Sequence, residues 1–409
     1  MEKLKVSGNI IKLNDVKAAN TLSLLNLLLQ KKEISRVELA AELDCDNTTI
    51  TRAVRDLANR KLIRSAGKKE FPRGRPREML TLDTENHCLL GISFAPAVIC
   101  GVLTDFCGEV LIKEEIRFDG FQGRENYLHN LSEIISGLVK RAEKNLRAIG
   151  IAAFGSYADE NYTIKNAGNF SELNGLNIYD FFKKSSGKVP VIADLLTSRL
   201  FYILRRENEK FRQGRVMLVA AGSGIGMTLA ENGTPVMNRL NHGGELGHIQ
   251  YDPNGIMCGC GHRGCLETEV SEKAVIEAAA KLKNKKYDFH SICSMIAGGD
   301  EELIAVAERC GRILGSAIAD QINILYPYHL VVTGTLCGLG NSFTEALTQA
   351  VKQRLFPLSA SPLNIDFIPF KNGFSVHEAD AVGAALMAGA ELISDFASFD
   401  TACPLVADK

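Results

Sequence analysis

Three cysteines fall within eight positions, at Cys258, Cys260 and Cys265, and two histidines lie close by, at His248 and His262. Thiolate and imidazole are the ligands of structural zinc, and three sulfurs with one nitrogen close a tetrahedron around the ion. The interleaved Gly259, Gly261 and Gly264 let the backbone fold tightly around such an ion. The Cys-x-Cys spacing is shorter than the usual Cys-x-x-Cys, and on chemistry alone either histidine could supply the fourth donor. A closed set leaves no position for a substrate, so this metal would be structural and not a Lewis acid. The chain has 11 cysteines, an odd number, with no apolar leader before them, which argues against a secreted disulfide framework. Seven others stand singly among apolar neighbours, Cys100 and Cys310 for example, and read as small core residues. Cys45, ahead of a polar helix, reads as exposed.

A second group could do different chemistry. Residues 1–80 carry 17 Lys/Arg against 10 Asp/Glu, although the whole chain has a net charge of −1. Within 49–77 the balance is 10 basic to 2 acidic. A basic end on an otherwise acidic protein points to a polyanion, with a solvated basic surface as the alternative on charge alone. The elements that would position these charges are legible. LSLLNLLLQ (22–30) has the spacing of a mostly buried helix. Ser35 opens a capping box with Glu38, predicting a short helix with Val37, Leu39, Ala40 and Leu43 facing inward. After a polar turn, Asp46 or Asn47 caps a third helix, in which Ile50, Ala53, Val54 and Leu57 form one buried stripe. Its other face presents Thr48, Thr49, Thr51, Arg52 and Arg55, hydroxyls and guanidiniums that can bond phosphates and base edges. Two short helices, a tight turn and a polar-basic second helix make a helix-turn-helix. Residues 62–82 then read as strand, basic loop and strand, a wing. Arg73 and Arg75 at its tip suit a narrow A·T-rich minor groove or phosphate contact.

The segment 15–82 resembles the winged-helix DNA-binding domain of the ROK family (repressors, open reading frames, kinases), through ISRVELA, TTITRAV and GRP. GGELGHI (243–249) and CGCGHRGCLE (258–267) resemble that family's signature Cys-x-Cys-Gly-x-x-Gly-Cys-x-Glu. The resemblance runs over roughly residues 15–395. It favours His248 over His262 as the fourth zinc ligand, and implies that Glu245, His248 and Glu267 contact sugar hydroxyls. The fold it implies is α/β. An N-terminal winged helix-turn-helix (1–84) precedes a two-lobed actin-like, sugar-kinase (ribonuclease H-like) ATPase fold (85–409). Lobe one is expected at about 85–195 plus 375–395, and lobe two at about 196–374. The order of β-rich and helical segments from Leu89 onward suits that class.

Sugar-kinase chemistry needs a base for the hydroxyl proton and a Gly-rich cradle for the ATP phosphates. VPVIADLL (189–196) resembles the family's VPVxxENDAN, which places the base at Asp194. The flanking sugar-binding positions have become Ala193, Leu195 and Leu196. Asn169, in KNAGNF, resembles another sugar-contacting residue. The family's first phosphate loop, Asp-x-Gly-x-Thr, is replaced here around Ser93 and Pro96, and proline removes a backbone donor. Gly222, Gly224 and Gly226 retain part of the second loop, or simply turn a hairpin; Gly334-Thr335 stands where the family has Gly-Gly. Small residues in 375–392 predict close packing of a final helix. No apolar run is long enough to span a membrane, and a cytoplasmic location is expected.

These residues predict a transcriptional regulator, a repressor of carbohydrate-utilisation genes. It would bind a double-stranded operator and sense a sugar or sugar phosphate in a degenerate cleft with Asp194 a vestigial base. A homodimer or homotetramer is expected, since helix-turn-helix proteins read paired half-sites. A phosphotransfer protein is a further candidate partner, and an active ATP-dependent sugar kinase with an added DNA-binding arm is the alternative.

Overall fold

The computed structural model describes residues 23–394, apart from positions 26, 29–30, 71–74, 143–144, 159–161, 168–169, 189, 207–209, 212, 237–242, 357–362 and 370–374. Among the described residues no helix is long and apolar enough to cross a membrane.

The N-terminal part runs β1 (Ile34–Ser35), α1 (Arg36–Glu42), α2 (Asn47–Asn59), β2 (Ile63–Lys69) and β3 (Arg77–Leu82), with sheet order β1-β3-β2. The N-terminus of each of the two helices is set by a side chain. Ser35 and Glu38 complete the capping box, and Asp46 accepts the N–H groups of Thr48 at 2.8 Å and Thr49 at 2.9 Å. Asp46, not Asn47, is therefore the cap. Ile50, Ala53, Val54 and Leu57 are all buried, as their spacing requires. One expectation fails: Val37 is 52% exposed. It lies two residues before fully buried Leu39, about 200° around the helix, so both cannot face the core.

Lobe one is built on a five-stranded sheet of order β10-β7-β4-β5-β6. Its strands are β4 (Cys88–Ala95), β5 (Val98–Thr104), β6 (Val110–Arg117), β7 (Leu146–Ala153) and β10 (Val191–Asp194). The small pair β8 (Ser156–Tyr157) and β9 (Ile164–Asn166) stands apart from it. β4 is buried along its whole length, which is why CLLGISFA reads as a continuous apolar run. Helices α3 (Arg124–Ala142) and α4 (Ile178–Ser186) belong to this lobe.

Lobe two repeats the plan, with sheet order β13-β12-β11-β14-β15. It contains α5 (Leu195–Arg206), β11 (Arg215–Ala221), β12 (Ile225–Glu231), β13 (Thr234–Pro235), α6 (Glu267–Val270), α7 (Glu272–Lys283) and α8 (Phe289–Ala297). It continues with α9 (Glu301–Leu325), β14 (His329–Thr333), α10 (Asn341–Arg354) and β15 (Asn364–Ile368). In each sheet parallel strands carry an antiparallel hairpin, β4-β5-β6 in one and β11-β12-β13 in the other.

The last helix, α11 (Val376–Ser394), holds the parts together. It lies on lobe one so closely that a Cβ at Gly150 would sit 1.8 Å from the Ala384 carbonyl oxygen. It crosses α5, and its Ala385 and Ile393 enter the same buried cluster as Leu24, Leu28, Ile50 and Leu57 of the N-terminal part. Leu89 and Phe106 join that cluster from lobe one. The winged-helix core is thus completed by residues far away in sequence.

Candidate functional site

The α2 face opposite its buried stripe carries the residues singled out for DNA. Arg52, Arg55 and Thr48 are exposed, and neither arginine has an ion-pair partner among the described residues. Thr49 and Thr51 stand differently. Thr49 Oγ1 donates to Asp46 at 2.7 Å and Thr51 Oγ1 to the Asn47 carbonyl at 2.7 Å, so both hydroxyl protons are committed to the helix itself. Each oxygen can still accept. Arg75 is exposed at the start of the returning wing strand; Arg73 lies outside the described residues. Lys68 and Lys69, exposed at the end of β2, extend the basic surface. Sequence reasoning counted them only within the basic charge of the wing.

The cysteine cluster forms where two short bridges, Gln250–Cys265 and Met257–Arg263, tie its loop together. One ligand atom each from His248, Cys258, Cys260 and Cys265 lies within 4.8 Å of all the others. His248 Nδ1 is 3.7 Å from Cys258 Sγ, and Cys260 Sγ is 3.6 Å from Cys265 Sγ. Burial opposes ionisation of Cys260, but backbone and ring contacts from His262 outweigh it and draw that thiol down to about 6. Burial and the adjoining sulfurs push Cys265 up to about 12. Thiols so close cannot all ionise without a cation among them, and a bound divalent ion would displace their protons. The donor set and spacing fit a closed N/S₃ metal site. His262 Nδ1 sits 3.6 Å from Cys260 Sγ, on the exposed side.

Because Nδ1 of His248 faces the sulfurs, its Nε2 is left toward Glu245, 3.9 Å from Oε2. Glu245 is exposed beside it. Glu267 does something the sequence did not suggest. Its Oε2 accepts the backbone N–H of Ile225 at 3.1 Å, fastening the cysteine loop to the turn between β11 and β12.

Asp194 ends β10 and acts as the cap of α5. Thr197 N–H donates to its Oδ1 at 2.7 Å and the Thr197 hydroxyl to its Oδ2. Burial pushes this carboxyl above the usual range, and the Thr197 bonds only partly counter it. Leu196 fills the neighbouring space: a Cβ on Gly226 would meet its Cδ1 at 2.6 Å. The group that a kinase would aim at a sugar hydroxyl is tied to its own helix, beside an apolar side chain. Asn169 lies outside the described residues.

On the nucleotide side, β4 runs straight through Ser93 to Ala95 before turning, and Ser93 is fully buried, its hydroxyl without a partner among the described residues. Residues 222–224 turn the hairpin between β11 and β12, with Ala221 opposite Ile225. β11 and β14 are parallel neighbours, and ligands of open α/β sheets bind beyond the carboxyl ends of such strands. That crevice holds Glu272. Its backbone N–H donates to the Gly222 carbonyl at 2.9 Å, and its carboxylate accepts the Thr335 hydroxyl. Ser271-Glu272 reads in sequence as an ordinary helix start, an acid placed at the positive end of α7, so nothing marked this position.

The ROK family pattern matches residues 90–391, which is most of the chain. This chain belongs to the ROK family. The matched stretch begins after the wing, so the N-terminal part is an addition to the family domain. The xylose repressor of Bacillus spizizenii is 24% identical over 345 residues, covering 84% of this chain and 88% of that protein. The DNA-binding transcriptional dual regulator NagC of Escherichia coli is 25% identical over 357 residues, covering 82% and 86%. A solved ROK family transcriptional regulator, a homologue of the E. coli MLC protein, matches with a TM-score of 0.77 at 23% identity. It covers 93% of this chain and 98% of its own. The fold of this ROK protein, winged helix included, is that of a ROK regulator.

Proposed function

We propose that this ROK protein is a transcriptional repressor of carbohydrate-utilisation genes, reading an operator through its winged helix and sensing a sugar or sugar phosphate in the former kinase cleft. The observation that carries it is the sharing of the winged-helix core with Leu89, Phe106, Ala385 and Ile393 of the kinase-like body. A ligand that favours one arrangement of that body then biases the DNA-reading surface, by as much as its affinities for the two arrangements differ.

The chain divides, on this reading, into a winged-helix module (1–84) and a kinase-like module (85–409). Thr48, Arg52, Arg55, Arg73 and Arg75 face DNA, with the oxygens of Thr49 and Thr51 as acceptors. His248, Cys258, Cys260 and Cys265 hold one structural zinc ion, which keeps Glu245 and Glu267 in place. Bound there, zinc supplies rigidity and no reaction. Asn169, Asp194, Glu245, His248 and Glu267 frame the sugar. A homodimer or homotetramer in the cytoplasm presents two recognition helices to paired half-sites.

Phosphoryl transfer has little support. Glu272 sets a carboxylate where a phosphate would approach Gly222, buried Ser93 supplies no carboxylate for magnesium, and Asp194 is held by Thr197. The kinase alternative keeps two observations in its favour, the survival of Asp194 and the part of the second phosphate loop retained at Gly222, Gly224 and Gly226. ATP-dependent sugar phosphorylation lost in Asp194→Asn would establish it. The regulator is tested by selecting duplex DNA on the full-length protein, then measuring release by a panel of sugars and sugar phosphates. Failure to select any sequence would remove the DNA-reading function, and failure of the whole panel would point instead to a protein signal.

A further inference from the structure

Two local irregularities converge on one buried histidine between the winged helix and lobe one. Lys61, just past α2, has a left-handed backbone (φ 57°), which turns its carbonyl away from the helix. In the pairing of β4 with β7, Cys88 faces Leu146 but Leu89 faces Ala148, so Arg147 is the extra residue of a β-bulge. Bulges re-aim side chains. Between the two sits His87, 2% exposed, in the link from wing to β4. Its Nε2 is 2.7 Å from the Lys61 carbonyl oxygen, and Arg147 Nε donates to its Nδ1 at 2.7 Å. A carbonyl only accepts and Arg Nε–H only donates, so these partners assign one tautomer: Nε2 protonated, Nδ1 bare, ring neutral.

We infer that Lys61, His87 and Arg147 form a strut that fixes the end of the recognition helix to strand β7, and through it to the cleft. β7 pairs in parallel with β10, and its Ala153 stands opposite Asp194. The strut therefore grips one end of a strand whose other end borders the former catalytic aspartate, about 20 Å away at the usual rise per residue. A change in the cleft that moves β7 moves α2 with it. The coupling stands without DNA; its use in regulation rests on the function proposed above.

The tautomer makes the strut sensitive to protons. A second proton would go to Nδ1, directly against the Arg147 guanidinium. Burial and Arg147 both hold the ring below the usual histidine range; the Lys61 and Arg60 carbonyls and the Asp83 carboxylate oppose them less strongly. The Phe106 ring closes the remaining side edge-on, 6.1 Å between centroids. A histidine with a lowered native pKa favours folding above about 6.5 and loses that contribution as pH falls, since the loosened state binds the extra proton.

Amide exchange of full-length, zinc-loaded protein tests this without any DNA. After correction for intrinsic rates, protection across residues 57–63 should fall at least tenfold between pH 7.5 and 5.5, while α9 holds. His87→Phe should leave 57–63 weakly protected at both pH values. Arg147→Met removes the opposing cation and lets the native ring titrate nearer the open-state value, so the fall in protection between pH 7.5 and 5.5 should shrink. Wild-type protection without a pH step, or a step undiminished in Arg147→Met, would overturn the strut. If His87→Phe fails to fold, the Arg147→Met comparison alone decides.

Discussion

Arg199 reaches from α5 to Asp380 on α11 and grips its carboxylate with two bonds, Nε to Oδ1 at 2.8 Å and a terminal nitrogen to Oδ2 at 2.9 Å. Both groups are buried, Asp380 completely. The helices cross so tightly there that a Cβ at Gly383 would lie 1.8 Å from the Ser198 carbonyl oxygen. Breaking a buried pair strands a charge, so Arg199→Met should cost about 3–5 kcal/mol in urea unfolding. Adding Asp380→Leu should restore most of that loss. A double variant no more stable than the single would show that the pair is not what holds the crossing.

Asp194 gives a pH-dependent test with a definite sign. Its carboxyl is raised in the folded protein, mainly by burial, so its contribution to stability is full below about 3.9 and is lost as pH rises through the folded value. Asp194→Asn keeps a partner for Thr197 without the charge. It should melt above the wild type at pH 7, with the gap closing toward pH 4. A lower melting temperature at pH 7 would mean that the ionised carboxylate is a net stabiliser.

Removing the metal should act locally. Cys260→Ser leaves three ligands, and bound zinc measured by mass spectrometry should fall from about one ion per chain by tenfold or more. Glu267 then loses its anchor, and the Ile225 amide that donates to it should exchange faster. Amides of α2 should be unaffected. Full zinc retention in this variant would take Cys260 out of the ligand set.

Glu272 predicts the nucleotide response. Magnesium ATP at millimolar concentration should leave the wild-type melting temperature unchanged. Glu272→Gly removes a like charge from the crevice and should tighten triphosphate binding by tenfold or more. Unchanged binding in a normally folded variant would move the exclusion to Ser93 and Pro96.

On the DNA side, Arg52→Ala and Arg55→Ala should each weaken binding to a selected duplex. If the lost contact is to a phosphate, the salt slope falls by about 1 and all sequences weaken alike; if it is to a base, specificity relaxes by about 1–3 kcal/mol at one position. Unaltered affinity in both would assign the operator contacts to the wing.

Periodicity carried much of this from the sequence. The buried stripe of α2, the capping box at Ser35 and the continuous apolar run of β4 each follow from local pattern, and each forms. The cysteine cluster was legible because its donors are rare residues at close spacing. Val37 failed because a seven-residue helix gives periodicity too little length to fix its phase. Cys107 is exposed, not core, since it lies in the turn after β5 where the apolar run has already ended. Glu272, Glu267 and His87 were illegible for another reason. Their partners, Thr335, Ile225 and Arg147, lie 42 to 63 residues away, and neither residue type nor spacing announces such a meeting.

The buried cluster joining Leu24, Ile50 and Leu57 to Ala385 and Ile393 bears on how such a protein can be taken apart. A fragment ending near residue 84 would carry the recognition helix but present its underside to water, without the final helix that seals it. The DNA-reading module is consequently not portable. Fused to another body it would bring an open apolar face, and a chain cut short before α11 would lose its cleft support and the floor of its DNA reader at one stroke.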